Sequence, residues 1–386
     1  MVSIRRLAAS LALISTFEAV IAHPGELADS VKRELEAHKR ARPHARRAIN
    51  QCANAPHSAA LKARSVARRA ATAAALREKR GLHGQRMKTK RDLEDLEKWA
   101  EISHDTSDLG YDLSTPLDAI FDSNSTCTLV PETTIGPYWV SGELIRADIT
   151  DGQAGIPLHL DLQFLDLNTC EAIPDILIDI WACNATGVYS GVAAAGQGGL
   201  NTTHGRGIQT TDADGVAQFD TVFPGHYTGR TPHIHVLTTK GATILANNTY
   251  AAGTATHIGQ LFFDQDLIYE VETHAPYSGN QQRLTLNEED GIGAGEATDD
   301  YDPFVEYVRL GDDLEAAGLL AYLTVFVDTT ANVTDQARAA AHYYEGGGVA
   351  TNNGGAGPGG PGGPGGPGGF PPRPPPGQNG TAPGSS

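Results

Sequence analysis

From Thr126 to Val327 the chain is written in short apolar or alternating runs broken by Gly, Asp, Asn and Pro, and this punctuation constrains its fold more than any other feature. The runs include Leu158 to Leu165, Leu177 to Ala182, Ala217 to Val222, His233 to Thr238, Leu261 to Asp264 and Leu320 to Val327. Regular short strands separated by turn residues imply a mainly β fold with an antiparallel β-sandwich core. Thr211-Asp212-Ala213-Asp214-Gly215 carries a hairpin-turn signal, with Gly215 able to adopt the positive φ such a turn needs. The stretch from Ala193 to Gly207 is too Gly-rich and polar for a strand, so it is expected to loop beside Tyr189 and wall a cleft.

The two ends have a different texture. Residues 1–22 read as a secretory signal, with Arg5 and Arg6, an apolar run from Leu7 to Ile14, and Ala22 at the expected cleavage point. That run is too short to span a membrane, so the mature chain is expected to carry no membrane segment. Residues 23–98 are rich in Ala, Arg, Lys and Glu, with Leu61 and Leu76 in an Ala-rich stretch, and predict an N-terminal helical arm. Paired basic residues such as Arg46-Arg47, Arg68-Arg69, Lys79-Arg80 and Lys90-Arg91 leave two readings open, a pro-segment removed by a dibasic protease or a solvated charged helix. Residues 99–344 form the expected β-sandwich domain. Beyond them, residues 345–386 turn to Gly and Pro, with Pro-Gly-Gly repeating from Pro358 to Gly369, and predict a disordered tail that is either a tether to a wall or matrix or an inert solvated end.

Secretion makes sense of two further features. Six Asn-x-Ser/Thr sequons stand at Asn124, Asn184, Asn201, Asn247, Asn332 and Asn379 and support a secreted, extracellular glycoprotein. Asn184 precedes Tyr189 in an expected buried strand, which points to an unoccupied sequon there. Cys52, Cys127, Cys170 and Cys183 allow three paired connectivities in an oxidising compartment, and a hairpin-closing Cys170–Cys183 bridge is the preferred pairing over free buried thiols. Charge is segregated: of 29 Lys and Arg, 19 fall in residues 23–98 and eight after Trp99, whereas 36 of the 46 acids follow it. So acidic a β-sandwich part repels nucleic acid and anionic membranes.

Tyr189, Tyr227, His233 and His235 fall within 47 positions and form an unusual metal kit. Alternate side chains of a strand share a face, so His233 and His235 point one way and Ile234 the other. His-x-His by itself also serves zinc and copper, and chance supplies it on exposed strands. Phenols change the balance, because a group with a pKa of about 10 coordinates at neutral pH only when a strong Lewis acid removes its proton. The set points to Fe(III).

Residues 136–264 resemble the intradiol ring-cleavage dioxygenases, more closely their secreted fungal-type branch. The matching stretches are Gly136-Pro137-Tyr138-Trp139, Asp179-Ile180-Trp181 running to Gly187-Val188-Tyr189-Ser190, and Arg206-Gly207 with Thr211-Asp212-Ala213-Asp214-Gly215. The run from Phe223 through Tyr227 and Arg230 to His235 follows, then Gly259-Gln260-Leu261-Phe262-Phe263. The resemblance implies a non-haem Fe(III) dioxygenase that opens catechol-type rings with O2, between the two hydroxyl-bearing carbons, to cis,cis-muconate-type diacids. It implies Tyr189, Tyr227, His233 and His235 as metal ligands and makes Tyr227 the ligand that leaves to act as an internal base. Arg230 would stabilise negative charge on the activated ring, with a plain salt bridge as the alternative. Gln260 would assist beside the substrate, with a satisfied core amide as the alternative.

Weaker candidates surround this set. Tyr138 and Trp139 would line the cleft or serve as core, His226 is assigned to a supporting or surface position because it faces away from Tyr227, and His204 is expected to face solvent. Only five residues separate Tyr227 from His233, fewer than in the intracellular members, which implies a more open cleft. Oligomeric state stays open, with a homodimer among the readings. From a different class comes a non-catalytic secreted β-sandwich that binds ferric catecholates or carbohydrate.

Overall fold

The computed structural model describes residues 47–49, 51–52, 55–82, 104, 128–129, 133–293, 302–344 and 347–352. The signal segment, Cys127, Asn124, Asn379 and the Pro-Gly-Gly repeats fall outside the described residues.

Fourteen short strands carry the described fold, and alternation of side chains builds two packed sheets from them. In the first sheet, β12 (Leu319–Val327) is central: it pairs in parallel with β1 (Thr128–Leu129) and β3 (Pro157–Asp166), and antiparallel with β11 (Glu306–Arg309). The antiparallel partner of β3 on its other side is β6 (Val216–Val222). The second sheet is antiparallel throughout, in the order β10 (Thr254–Phe262), β7 (His233–Lys240), β4 (Leu177–Trp181), β5 (Arg206–Thr210). Leu160, Leu162, Phe164, Phe219 and Leu323 of the first sheet meet Ile178, Ile180, Ile234, Val236 and Leu261 of the second in one buried core. The expected sandwich is present, but its first sheet is mixed rather than antiparallel.

Two smaller assemblies complete the strands. One joins β2 (Val140–Ser141), β13 (Ala341–Tyr344) and β14 (Gly347–Ala350), and the other is a hairpin of β8 (Thr243–Ile244) and β9 (Tyr250–Ala251). β-Structure therefore runs on to Ala350, past the residue where the sequence turns Gly-rich. The Asp212–Gly215 turn is tight, with the Asp212 carboxylate accepting from Asp214 N and Val216 N and Gly215 at φ +73°. It does not close a hairpin, because β5 and β6 diverge into different sheets. Arg206 and Gly207 belong to β5 instead of the preceding loop, and β10 begins at Thr254, well before the apolar run that marks its end.

The arm is the third layer. Helix α1 (Ser58–Lys79) lays Leu61, Val66, Ala73 and Leu76 inward at helical spacing. Val66, Ala73 and Leu76 pack on Val308, Leu310, Leu320 and Tyr322. Beside that stripe, Arg68 grips Asp161 of β3 with Nε and Nη2 at 2.9 and 2.7 Å, and Arg69 reaches the same carboxylate at 3.2 Å. The Arg69 guanidinium also lies over the Tyr322 ring at 4.3 Å. Cys52, ahead of the helix, forms a disulfide with Cys170. The expected Cys170–Cys183 pairing is thus corrected: Cys170 sits in a turn at φ +62° facing the arm, while the Cys183 thiol is buried elsewhere and donates to Gly225 O at 3.2 Å. Two short helices, α2 (Gln265–Val271) and α3 (Leu314–Ala317), cap strand ends, and no helix among the described residues is long and apolar enough to cross a membrane.

Candidate metal centre and active site

Strand pleating puts Ile234 and Val236 into the inter-sheet core and turns His233 and His235 to the opposite face of the second sheet. That face is covered by a second apolar cluster, to which Trp181 of β4 and, from the connecting segments, Tyr138, Trp139, Tyr189 and Tyr227 belong. Two turns deliver the phenols. One runs from Cys183 to Tyr189 after β4, the other from Phe223 to Arg230 before β7. They lie back to back: Gly225 N donates to Asn184 O, and a Cβ on either Gly187 or Gly225 would collide with the other turn's carbonyl, at His226 or Ala185. Glycine is needed at both positions for the phenols to meet.

They do meet. Tyr189 Oη lies 3.5 Å from Tyr227 Oη and 3.4 Å from His233 Nε2. Tyr227 Oη is 3.3 Å from His233 Nε2, which is 3.1 Å from His235 Nε2. All four side chains are buried. The other ring nitrogen of His233 fixes its tautomer: Thr231 O, at 2.6 Å, can only accept, so Nδ1 carries the proton and Nε2 turns its lone pair to the cluster. Trp181 stacks on His235 with centroids 4.7 Å apart and planes within 4°, which sets that ring's plane.

The donor set fits a metal. Ligands about 2 Å from one ion at tetrahedral angles lie about 3.3 Å apart, the spacing found here. Among the described residues no three His, Cys, Asp or Glu side chains converge as a metal site, so a centre of this kind depends on the phenols. Burial pushes the Tyr189 and Tyr227 hydroxyls well above the usual phenol range. Only a strong Lewis acid draws off their protons in such a place, and two phenolates then offset most of a trivalent charge where water does not.

Arg230 and Gln260 close the site. Arg230 donates from Nε to Asp290 at 2.8 Å and from Nη2 to the Gln260 amide oxygen, and its Nη1 lies 3.4 Å from His233 Nε2. Burial works against its charge, but the Asp290 carboxylate outweighs that and holds the guanidinium above its ordinary pKa. Gln260 donates in turn to Thr134 O at 2.9 Å. Arg230 therefore has its salt bridge and Gln260 its satisfied amide, and Arg230 also stands beside the donor cluster.

The remaining candidates separate. Tyr138 packs its ring 5.0 Å from that of Tyr189, whereas Trp139 donates to Asp179 at 2.8 Å. His226 is buried away from the cluster, with Nδ1 at 2.7 Å from Glu272 and Nε2 donating to Gln282 O at 3.0 Å. His204 is buried too, not solvent-facing as the loop's composition suggests, because its ring reaches back to Val188 O at 3.2 Å. Asp290 and Glu143 carried no sequence signal, and Asp179 and Trp181 stood in a matching stretch with no supporting role assigned, since each meets its partner across a distant part of the chain.

Two phenols and two imidazoles gathered beside an arginine on a β-sandwich make a donor set suited to a ferric ion. The profile of the family described as Dioxygenase matches residues 136–293. An intradiol ring-cleavage dioxygenase from Tetranychus urticae is 30% identical, covering 53% of this chain and 97% of its own, with a TM-score of 0.43. The chain belongs to the intradiol ring-cleavage dioxygenase family, whose enzymes typically use non-haem Fe(III). The dioxygenase domain of a dioxygenase carbohydrate-binding protein fusion from Streptomyces sp. SirexAA-E is 23% identical over 51% of this chain and 96% of its own, with a TM-score of 0.33. Catechol 1,2-dioxygenase from Acinetobacter sp. ADP1 is 19% identical over 51% and 62%, with a TM-score of 0.34. No curated protein matches the chain.

Proposed function

We propose that this chain is a secreted Fe(III) intradiol dioxygenase that opens catechol, a substituted catechol or hydroxyquinol to a cis,cis-muconate-type diacid. The observation that carries the reading is the convergence of Tyr189, Tyr227, His233 and His235, linked by four donor-atom contacts of 3.1–3.5 Å. These four residues would hold the metal, which supplies Lewis acidity to ionise the phenols and chelate both substrate oxygens. Tyr189 is anchored at its backbone, with its N–H given to Gln197 at 2.6 Å and its carbonyl accepting from Gly198 N at 2.8 Å. Tyr227 sits on a short turn closed by its own pairing with Arg230. The turn residue is the one suited to swing out and take a substrate proton on its phenolate oxygen. Arg230, aimed by Asp290 and Gln260, then faces the negative charge that develops on the ring.

Secretion draws support from the Cys52–Cys170 bridge and from exposed sequons at Asn247 and Asn332. Asn184 is engaged, its amide donating to Gln153 at 2.9 Å while its oxygen accepts from Thr186 and Val188, which favours an unmodified side chain. Incubation with catechol under isotopically labelled dioxygen tests the activity. Mass spectrometry should find both labelled atoms in one ring-opened diacid; a singly labelled product, or an intact ring, contradicts the reading.

A further inference from the structure

Arg206 is fully buried, and its hydrogen bonds among the described residues end on a hydroxyl and two backbone carbonyls. Its Nε donates to Ser190 Oγ and Ser190 O at 2.9 and 3.1 Å, and its Nη2 donates to Ser190 O at 2.8 Å and Tyr138 O at 2.6 Å. The Glu143 carboxylate stands 3.8 Å from Nε, an ion pair beyond hydrogen-bond reach. A buried cation is expensive, and this one, besides facing Glu143, uses its hydrogen bonds to tie two segments together.

Both segments belong to the candidate site. Ser190 follows Tyr189 directly, and Tyr138 lays its ring against that of Tyr189. Ser190 Oγ passes the tie on to His204 O at 2.6 Å. The strand that bears Arg206 is itself in register with the metal strand: Arg206 pairs with Trp181, and Trp181 pairs with His235 and stacks on it. Gly191 leaves room for the guanidinium, since a Cβ there would come within 3.2 Å of Arg206 Nε. Only a planar fork reaches these carbonyls together; a lysine ammonium would keep the charge and lose the geometry.

We propose that Arg206 is the positioning residue for Tyr189: by bridging Ser190 and Tyr138 it sets where the Tyr189 phenol oxygen stands relative to Tyr227, His233 and His235. The proposal rests on Tyr189 being a metal ligand.

The test compares the full-length iron-loaded protein with its Arg206→Lys variant by visible absorption and by steady-state kinetics, alongside the melting temperature of the metal-free forms. Expected are a melting temperature near the parent's, iron retained, a displaced tyrosinate-to-iron band, and kcat lowered by about a hundredfold with KM for catechol held. Where Arg206→Lys does not fold, Ser190→Ala, which removes one of the guanidinium's acceptors together with the hydroxyl's bond to His204 O, carries the test and should move the band in a smaller step. A folded variant with the parent's band and kcat overturns the proposal, as does a loss of melting temperature with the band unmoved. A parent protein with no such band defeats the metal reading itself, a different failure.

Discussion

With its Nε proton on Asp290 and an Nη2 proton on Gln260, Arg230 presents Nη1 3.4 Å from His233 Nε2. Removing this side chain does not strand its partner, because Asp290 also accepts from Thr231 N, Ile292 N and Gly293 N. Arg230→Ala should therefore keep iron and fold while losing about 3 kcal/mol of barrier lowering, roughly a hundredfold in kcat. Metal analysis beside kinetics checks this, and loss of iron together with activity would make Arg230 a structural residue. The six candidate site residues were legible at this scale because two donor types, phenol and imidazole, and their neighbours sit in a few recognisable stretches between Tyr189 and Gln260. Asp290 was not, since a carboxylate in an acidic loop some sixty positions away carries no mark of the guanidinium it meets. Trp181 was legible only as strand, and its stack on His235 follows from register that the sequence does not state.

At the scale of elements, α1 is held to the sandwich by apolar contact, by a disulfide ahead of it and by two arginines on one carboxylate. Burial opposes the charge on Asp161, but Arg68 and Arg69 overcome it and hold the carboxyl down at about 2. An unfolded Asp titrates near about 3.9, so the stabilisation, about 2 kcal/mol, is fully present above pH 4 and lost as pH falls through about 2. Asp161→Asn should lower stability by about 3 kcal/mol near neutral pH, with the gap from the parent closing in acid. Denaturant titration at both pH values checks it; a gap independent of pH would mean the arginines act by packing alone. The same contacts bear on processing, because cutting at Arg68-Arg69 would sever the helix that covers Asp161. Helix and most strands were legible from spacing and punctuation. The β3–β12 parallel pairing was not, as its strands are separated by the rest of the sandwich, and β5 was obscured because its buried residues include an arginine.

For the molecule as a whole, the buried polar layer beneath the site makes stability depend on pH from the alkaline side. Burial pushes Glu143 up to about 7 and Asp179 up to about 8, the latter against a hydrogen bond from Trp139. Both would ionise near pH 4 in the unfolded chain. Between about pH 4 and about pH 8 the folded state therefore keeps protons that the unfolded state releases, and stability falls as pH rises through that window. Melting temperature of the metal-free protein should be higher at pH 5 than at pH 8, and Glu143→Gln should flatten the slope. An unchanged slope in that variant would place the titration elsewhere. Segregation of basic residues into the arm and acids into the sandwich was plain in the sequence; that a few of each would be buried together was not, because burial is decided by contacts between distant residues.

The visible absorption spectrum of the purified iron-loaded protein, recorded before and after anaerobic addition of catechol, tests the central claim most directly. A broad tyrosinate-to-iron(III) charge-transfer band that moves to longer wavelength with catechol is the predicted result. A protein that stays colourless after iron loading, or whose band ignores catechol, would contradict the assignment of Tyr189, Tyr227, His233 and His235 as a substrate-chelating ferric centre.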